Sequence, residues 1–252
     1  MLHNMKLNDE PFRLIESGRK TIELRLFDEK RRQVKIGDFI EFSHIEQPDR
    51  HITVRVTELY RSSSFSGLFS EIPAERLGFP EKAVIAPDLM DSFYPPEKQQ
   101  EYGVLGIGFR KTELQKFIDA QENGYSFGET YATALAEIKR GYKASCWMWY
   151  VFPQIKGLGL SGTTACFSIN DLQEAADYLA HPILGARLIE ISSELLRLEE
   201  NDPVAVFGLP DAYKLRSCMT LFMHAAPENE VFRKVLDKFC QGTEDDETLI
   251  RL

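Results

Sequence analysis

The hydrophobic pattern of this chain changes period near residue 112, and no other feature limits the fold as strongly. Before that point apolar residues alternate. Residues 22–26, 36–42, 51–60 and 103–109 each read as a half-buried strand whose side chains point to opposite faces in turn. The run 51–60 is the clearest, with Ile52, Val54, Val56 and Leu59 directed inward. Glycines at alternate positions of 103–109 imply the close approach of another backbone across that strand. Between them, 65–100 is broken by Pro73, Pro80, Pro87, Pro95 and Pro96 into short helical or irregular pieces. From Leu114 onward the period is helical, with helices over 114–121, 131–140, 171–179, 182–198, 211–223 and 228–239, and a short one after Thr243. Asn170 and Asp171 are placed to cap one of these helices, and Pro182 opens the next.

Several short strands with one early helix imply a small, partly open β-barrel. The expected fold class is therefore α+β in two domains: residues 1–112 a small β-barrel with flanking helices, and residues 113–252 an all-α domain. A chain of 252 residues exceeds the usual size of a single core, which agrees with two. The boundary falls at 111–113 with almost no linker.

Charge is divided unevenly between these halves. Residues 1–112 carry 17 Lys and Arg against 18 Asp and Glu, a net of −1; residues 113–252 carry 13 against 21, a net of −8. The second half should repel a phosphate backbone, while the first can hold a local basic patch. Lys30, Arg31, Arg32 and Lys35 are its best candidates, and they equally suit a solvated basic turn. No apolar run is long enough to cross a bilayer, and the first ten residues lack a signal-like apolar core. A cytoplasmic protein with no membrane partner is expected. Cys146, Cys166, Cys218 and Cys240 are widely spaced, without a Cys-x-x-Cys pair or a nearby histidine. They read as buried free thiols, and neither a metal nor another cofactor is expected.

The segment Gly18-Arg-Lys-Thr-Ile-Glu-Leu-Arg25 concentrates chemistry. A short amphipathic helix over 11–17 stops at Gly18, where glycine accepts a positive φ without steric cost. In the strand that follows, Ile22, Leu24 and Leu26 take one face and Thr21, Glu23 and Arg25 the other. Lys20, Glu23 and Arg25 then form a compact charged group at the edge of a small sheet. Such a group can grip a polar ligand, or can pair with its neighbours for under about 1 kcal/mol each.

Gly18, Lys20, Glu23 and Arg25, followed by Gly37-Asp38 and closed by Tyr102-Gly103-Val104, resemble the ASCH domain over about residues 4–111. That resemblance implies a PUA-like barrel with a cleft that receives RNA, a nucleotide or a modified nucleoside, and it makes Lys20, Thr21, Glu23 and Arg25 the ligand-binding residues. Some ASCH members are amidohydrolases acting on N4-acetylcytidine, in which the motif lysine activates a threonine three positions later with help from a downstream glutamate. Here Glu23 stands at the threonine's place, Thr21 is out of register, and Glu71 and Glu75 fall in the region of the downstream acid. Other members are ribonucleases. An alternative implied by the resemblance is thus a metal-independent hydrolase, with Lys20 as general base and Glu23 beside it as catalytic residues.

Lys143-Ala-Ser-Cys-Trp-Met-Trp-Tyr-Val-Phe-Pro-Gln-Ile-Lys-Gly-Leu-Gly-Leu-Ser161, with 181–188 and 214–222, resembles a bacterial family of unknown function numbered 1810, sometimes labelled calpastatin. Nothing in the residues suggests a calpain inhibitor. The resemblance covers about residues 114–252 and implies a helical fold. Trp147, Trp149, Tyr150 and Phe152 read as core. Lys143, Ser145, Gln154, Ser161, Asp211, Lys214 and Ser217 lie in or beside apolar segments and, with Trp147 and Trp149, are candidates for a second pocket. Cys146 stands where that family usually has histidine, and His181, before Pro182, reads as a helix cap. A third reading makes the acidic helical half a module for binding a protein or metabolite. Oligomeric state is left open.

Overall fold

Five strands build the N-terminal sheet: β1 (Leu2–Leu7), β2 (Ile22–Leu26), β3 (Phe39–His44), β4 (His51–Ser62) and β5 (Val104–Lys111). Their order is β1-β3-β4-β5-β2, antiparallel except for the parallel pair β1 and β3. The structure, a computed structural model, describes residues 1–159 and 161–252, and divides into the units Met1–Glu113 and Leu114–Leu252. As expected, the sheet curls into a half-barrel flanked by helices, with a mostly helical region after it. Its two edges are β1 and β2, which come from opposite sides of the first helix, α1 (Asp9–Glu16).

β1 is an addition to the strands the sequence predicts. His3, Met5 and Leu7 alternate inward and are buried. A histidine among the inward positions masks the pattern. Its burial is tolerated because Nε2 meets Asp38 Oδ2 at 2.8 Å. The glycines of β5 admit side chains as well as the backbone the sequence implies. Gly106 and Gly108 lie opposite Leu24 and Ile22 of β2. A Cβ on Gly108 would sit 2.9 Å from Glu58 Cβ, and one on Gly106 would sit 3.0 Å from Ile72 Cδ1 and 3.3 Å from Tyr60 Cβ. Side chains fill most of the space these glycines leave, and the Glu58 carbonyl of β4 lies 3.5 Å from a Cβ at Gly108, so backbone approaches there too.

Two apolar clusters support the sheet. Phe12 and Ile15 of α1 pack with Met5, Ile40, Phe42 and Val54. Ile22 and Leu24 pack instead with Phe65 and Leu68 of α2 (Phe65–Glu71), Ile72 and Leu77. The proline-rich stretch that follows is held by Gln99 of α3 (Pro96–Tyr102), a buried amide. It accepts from the Phe65 N–H at 3.1 Å and donates to Asp91 Oδ1 and the Tyr94 carbonyl at 2.8 and 2.9 Å.

The C-terminal unit contains α4 (Gln115–Asn123), α5 (Tyr131–Lys139), α6 (Met148–Val151), α7 (Gly162–Cys166), α8 (Leu172–Ala180), α9 (Leu184–Arg197), α10 (Pro203–Phe207), α11 (Asp211–Ala225), α12 (Glu230–Cys240) and α13 (Asp246–Leu249). Apolar faces of α9, α11 and α12 meet through Leu188, Ile191, Leu215, Met219, Phe232 and Leu236, all buried. Asp171 caps α8 by accepting the Glu174 N–H at 2.8 Å, an interaction type worth about 1 kcal/mol. Lys238 of α12 donates to the Leu195, Leu196 and Leu198 carbonyls at the end of α9. Of the cysteines, Cys218 is buried and Cys166 and Cys240 are half-buried, but Cys146 is exposed, which corrects the expectation of four buried thiols. It is the Cys146 carbonyl that is engaged, accepting from the Tyr150 hydroxyl and the Glu129 N–H.

His181 does act as a cap. Its Nδ1 accepts the N–H groups of Ile183 and Leu184 at the start of α9. The ring is buried, and burial pushes its pKa down to about 4. Below the unfolded value near 6.5 the unfolded chain takes up a proton that the folded chain refuses until about pH 4. Stability from this group is therefore complete above pH 6.5 and falls as pH drops through that window, by about 3 kcal/mol in all. His181→Asn, which keeps an acceptor but cannot titrate, should lose distinctly less stability between pH 6.5 and 4.5 than the wild type in urea denaturation.

Candidate functional site

The seam where the half-barrel fails to close is a cleft of about 590 Å³. One side is formed by the end of β1 and by α1, through Lys6, Asn8, Pro11 and Leu14. The other is formed by the stretch 77–94, through Leu77, Phe79, Met90, Phe93 and Tyr94. Lys20, Glu23 and Arg25 converge in the same cleft with Leu24 of β2. Their placement follows from local structure. Gly18, at φ +76°, ends α1, and its N–H donates to the Ile15 carbonyl. Lys20 then donates its N–H to the Leu14 carbonyl and bridges to Leu77, so the chain enters β2 in a fixed register. Gly78, at φ +97°, passes close to α1: a Cβ there would lie 2.9 Å from Leu14 Cδ1.

Glu23 is the centre of the charged group. Its side chain is 5% exposed, with Lys20 Nζ 3.1 Å from Oε2 and Arg25 Nη1 3.0 Å from Oε1. Arg25 also donates from Nη1 to the Tyr94 hydroxyl and from Nη2 to the Lys6 carbonyl, both at 3.0 Å. One guanidinium thus ties β2, β1 and the 77–94 wall together, at the gap between the two sheet edges. Burial works against this cation, but Glu23 and Tyr94 beside it raise its pKa above the usual value. Among the described residues, buried Arg25 Nε has no hydrogen-bond partner, and buried Glu23 Oε2 makes no aligned hydrogen bond beyond its 3.1 Å ion-pair contact with Lys20. Buried polar atoms are normally satisfied, so a donor, Arg25 Nε, is left open in this cluster and Oε2 keeps capacity for a further donor.

Thr21 does not join this cleft. Its hydroxyl accepts from Arg76 Nε at 3.3 Å. Arg76 in turn pairs with Glu58 at 2.7 Å, and Glu58 accepts a 2.5 Å hydrogen bond from Tyr60. These bonds hold the Glu58 carboxyl below its ordinary pKa and raise that of Tyr60. The network pins the turn Ala74–Arg76 that leads into the wall. Glu75 lines a separate cavity and Glu71 lines neither, so neither candidate for a downstream acid reaches Lys20. No serine, threonine or cysteine lines the cleft among the described residues. Lys30, Arg31, Arg32 and Lys35 also lie outside it. Arg31 pairs with Asp28 at 3.0 Å and Arg32 sits over the Phe27 ring.

In the C-terminal unit the residues proposed for a second pocket divide into three groups. Lys143, Asp211 and Lys214 meet: both ammoniums contact the Asp211 carboxylate, at 2.8 and 2.7 Å. They rest over the rings of Trp147 and Trp149 respectively. Ser145 turns instead to Glu137, as does the Trp147 indole N–H, both at 2.7 Å. Ser161 caps α7 and Ser217 donates to the Tyr213 carbonyl of its own helix, so both serve local structure. Gln154 is half-buried. Leu160, part of the same sequence segment, lies outside the described residues. Trp147, Tyr150 and Phe152 are core, as their composition implied, whereas Trp149 is only half-buried.

Sequence reasoning missed Tyr94, Lys6 and Glu137. Tyr94 and Lys6 carry no spacing signal, because loops and the opposite sheet edge bring them to Arg25. Glu137 does carry one: it lies on the apolar face of α5 with Tyr131, Ala134 and Ile138. Burial would push its carboxyl up, but donation from Ser145, Ala144 and Trp147 holds it below the ordinary range.

Together these observations describe a PUA-like half-barrel with a polar cleft at its seam, joined in one chain to a helical unit. Comparison with known families agrees. The chain belongs to the family described as protein of unknown function (DUF1810), whose model matches residues 111–252; the ASCH domain model matches residues 5–113. Among solved structures, the conserved hypothetical protein Rv1873 from Mycobacterium tuberculosis is 37% identical, covering 56% of this chain and 96% of that one, with a TM-score of 0.52. The hypothetical protein PH0355 is 34% identical over 44% of this chain and 99% of its own, with a TM-score of 0.38. Protein PF0455 from Pyrococcus furiosus is 34% identical over 44% and 97%, with a TM-score of 0.35. No curated protein matches the chain.

Arg25→Ala removes a buried partner of Glu23 and the stitch between β1 and β2. It should lower the stability of the N-terminal unit by about 3 kcal/mol. Arg25→Lys should recover only part of this, since an ammonium cannot reach Glu23, Tyr94 and the Lys6 carbonyl together. Urea denaturation of both variants checks the order.

Proposed function

We propose that the seam cleft binds a nucleobase, presented by RNA, a nucleotide or a modified nucleoside. The observation that carries this reading is the Glu23 carboxylate. It is buried on the cleft floor between two cations and below aromatic walls, and its Oε2 is held by the Lys20 ion pair alone, with no aligned hydrogen bond. A base supplies what is missing: amine or imide N–H groups for the carboxylate, and a flat π-face for Phe79, Phe93 or Tyr94. Base–aromatic stacking is worth about 1–3 kcal/mol per base. Lys20 and Arg25 outnumber Glu23 by one charge, which suits an electron-rich carbonyl edge or a nearby phosphate. The membership of residues 5–113 in the ASCH domain, a PUA-like fold, supports the same ligand class.

Binding is favoured over hydrolysis by the cleft's composition. Thr21 is bonded to Arg76, and among the described residues no serine or threonine lines the cleft to serve as nucleophile. The helical unit has no assigned part in this reading, and no helix among the described residues is long and apolar enough to cross a membrane.

Calorimetric titration of the full chain with the ribonucleosides, N4-acetylcytidine and a single-stranded RNA oligomer tests the reading. Binding by at least one is expected, with Glu23→Gln weakening it about tenfold or more, equivalent to about 1.4 kcal/mol. A folded wild-type protein that binds none of them at millimolar concentration would overturn it. Turnover of N4-acetylcytidine that disappears in Lys20→Ala would replace it with the hydrolase reading.

A further inference from the structure

Lys143, Lys214 and Asp211 form a charged cluster that the cleft does not use. Two ammoniums share one carboxylate, and the side chains of Lys143, Asp211 and Lys214 are only 10%, 15% and 19% exposed. The cluster therefore holds one positive charge in excess, in a setting where water screens it poorly. Asp211 is ionised: burial would raise its pKa, but the two lysines hold it below the ordinary value. The nearest buried carboxylate along the chain, Glu137, is already committed to Ser145, Ala144 and Trp147.

The lysines are also held in place before any ligand arrives. Lys143 Nζ stands 5.3 Å from the centre of the Trp147 ring, and Lys214 Nζ 4.7 Å from that of Trp149. The Lys143 N–H donates to the Val206 carbonyl of α10, which fixes the base of that side chain. Exposed apolar side chains also stand near the cluster in sequence. Tyr142 precedes Lys143, Tyr213 precedes Lys214, and Leu209 lies two residues before Asp211; all three are exposed.

We infer that Lys143 and Lys214 bind the carboxylate of a small apolar or aromatic monocarboxylic acid, whose body rests on Tyr142, Leu209 and Tyr213. The charge count selects the ligand. One unit of excess charge is neutralised by a monoanion, whereas a phosphate monoester brings about one charge too many. A nucleic-acid strand is disfavoured by the net charge of −8 carried by residues 113–252. This inference is independent of the seam cleft, which lies in the other unit.

The chain offers a direct readout, because its only two tryptophans are Trp147 and Trp149. Tryptophan emission of the full chain, excited where phenylacetate does not absorb, is followed as phenylacetate is added, with inorganic phosphate and a single-stranded RNA oligomer as parallel probes. A saturable change with phenylacetate is expected, weakened about tenfold or more in Lys214→Gln. Asp211→Asn doubles the excess charge and should tighten binding, which a purely structural ion pair would not do. If Asp211→Asn fails to fold, Lys214→Gln and added salt, which should weaken binding, still decide. The inference is overturned if folded wild-type protein shows no saturable change, if Lys214→Gln leaves the change intact, or if only phosphate or RNA produces it.

Discussion

The N-terminal unit depends on one arginine. A half-barrel of five strands leaves β1 and β2 unpaired along their outer edges, and such edges are open to slippage and to foreign strands. Arg25 spans the gap, donating to a β1 carbonyl while paired with Glu23 of its own strand and bonded to Tyr94 of the facing wall. The same guanidinium that stitches the seam pairs with the buried Glu23 side chain. The cleft's chemistry and the sheet's integrity therefore rest on shared side chains, and neither can be altered alone.

The helical unit repeats the device with a different geometry. Glu137 gathers two backbone N–H groups, a hydroxyl and an indole N–H from the segment 144–147, and so shapes the loop that presents Lys143 and Trp149. A buried carboxylate with four donors is costly to assemble but leaves little freedom once assembled. In both units a buried acidic residue acts as the organiser, of cations around Glu23 and of a loop around Glu137.

Much of this was legible in the sequence. The change of period near residue 112 separated sheet from helices, and Gly18, Lys20, Glu23 and Arg25 announced a charged strand start because glycine and alternation are local signals. Thr21 was grouped with them by alternation alone. It lies before the regular strand, where the register to Arg76 decides its direction. β1 was hidden by a buried histidine. Tyr94 and Lys6 were illegible for a different reason: their roles arise from contacts 69 and 19 residues away in sequence, which no short-range pattern encodes. In the helical half, Lys143 and Lys214 meet Asp211 and rest over the two tryptophans, but the sequence could not say that Ser145, Ser161 and Ser217 were occupied by local bonds.

The cleft's two sides are unlike in kind. Its floor belongs to a strand whose register is locked by β5, while Phe79, Met90 and Phe93 belong to an irregular stretch anchored at Arg76 and Gln99. A chain built this way can alter the wall between two fixed moorings without disturbing the strand that carries the charge. Mutational freedom is thereby confined to one bank of the seam, and divergence among related chains should leave its largest trace there.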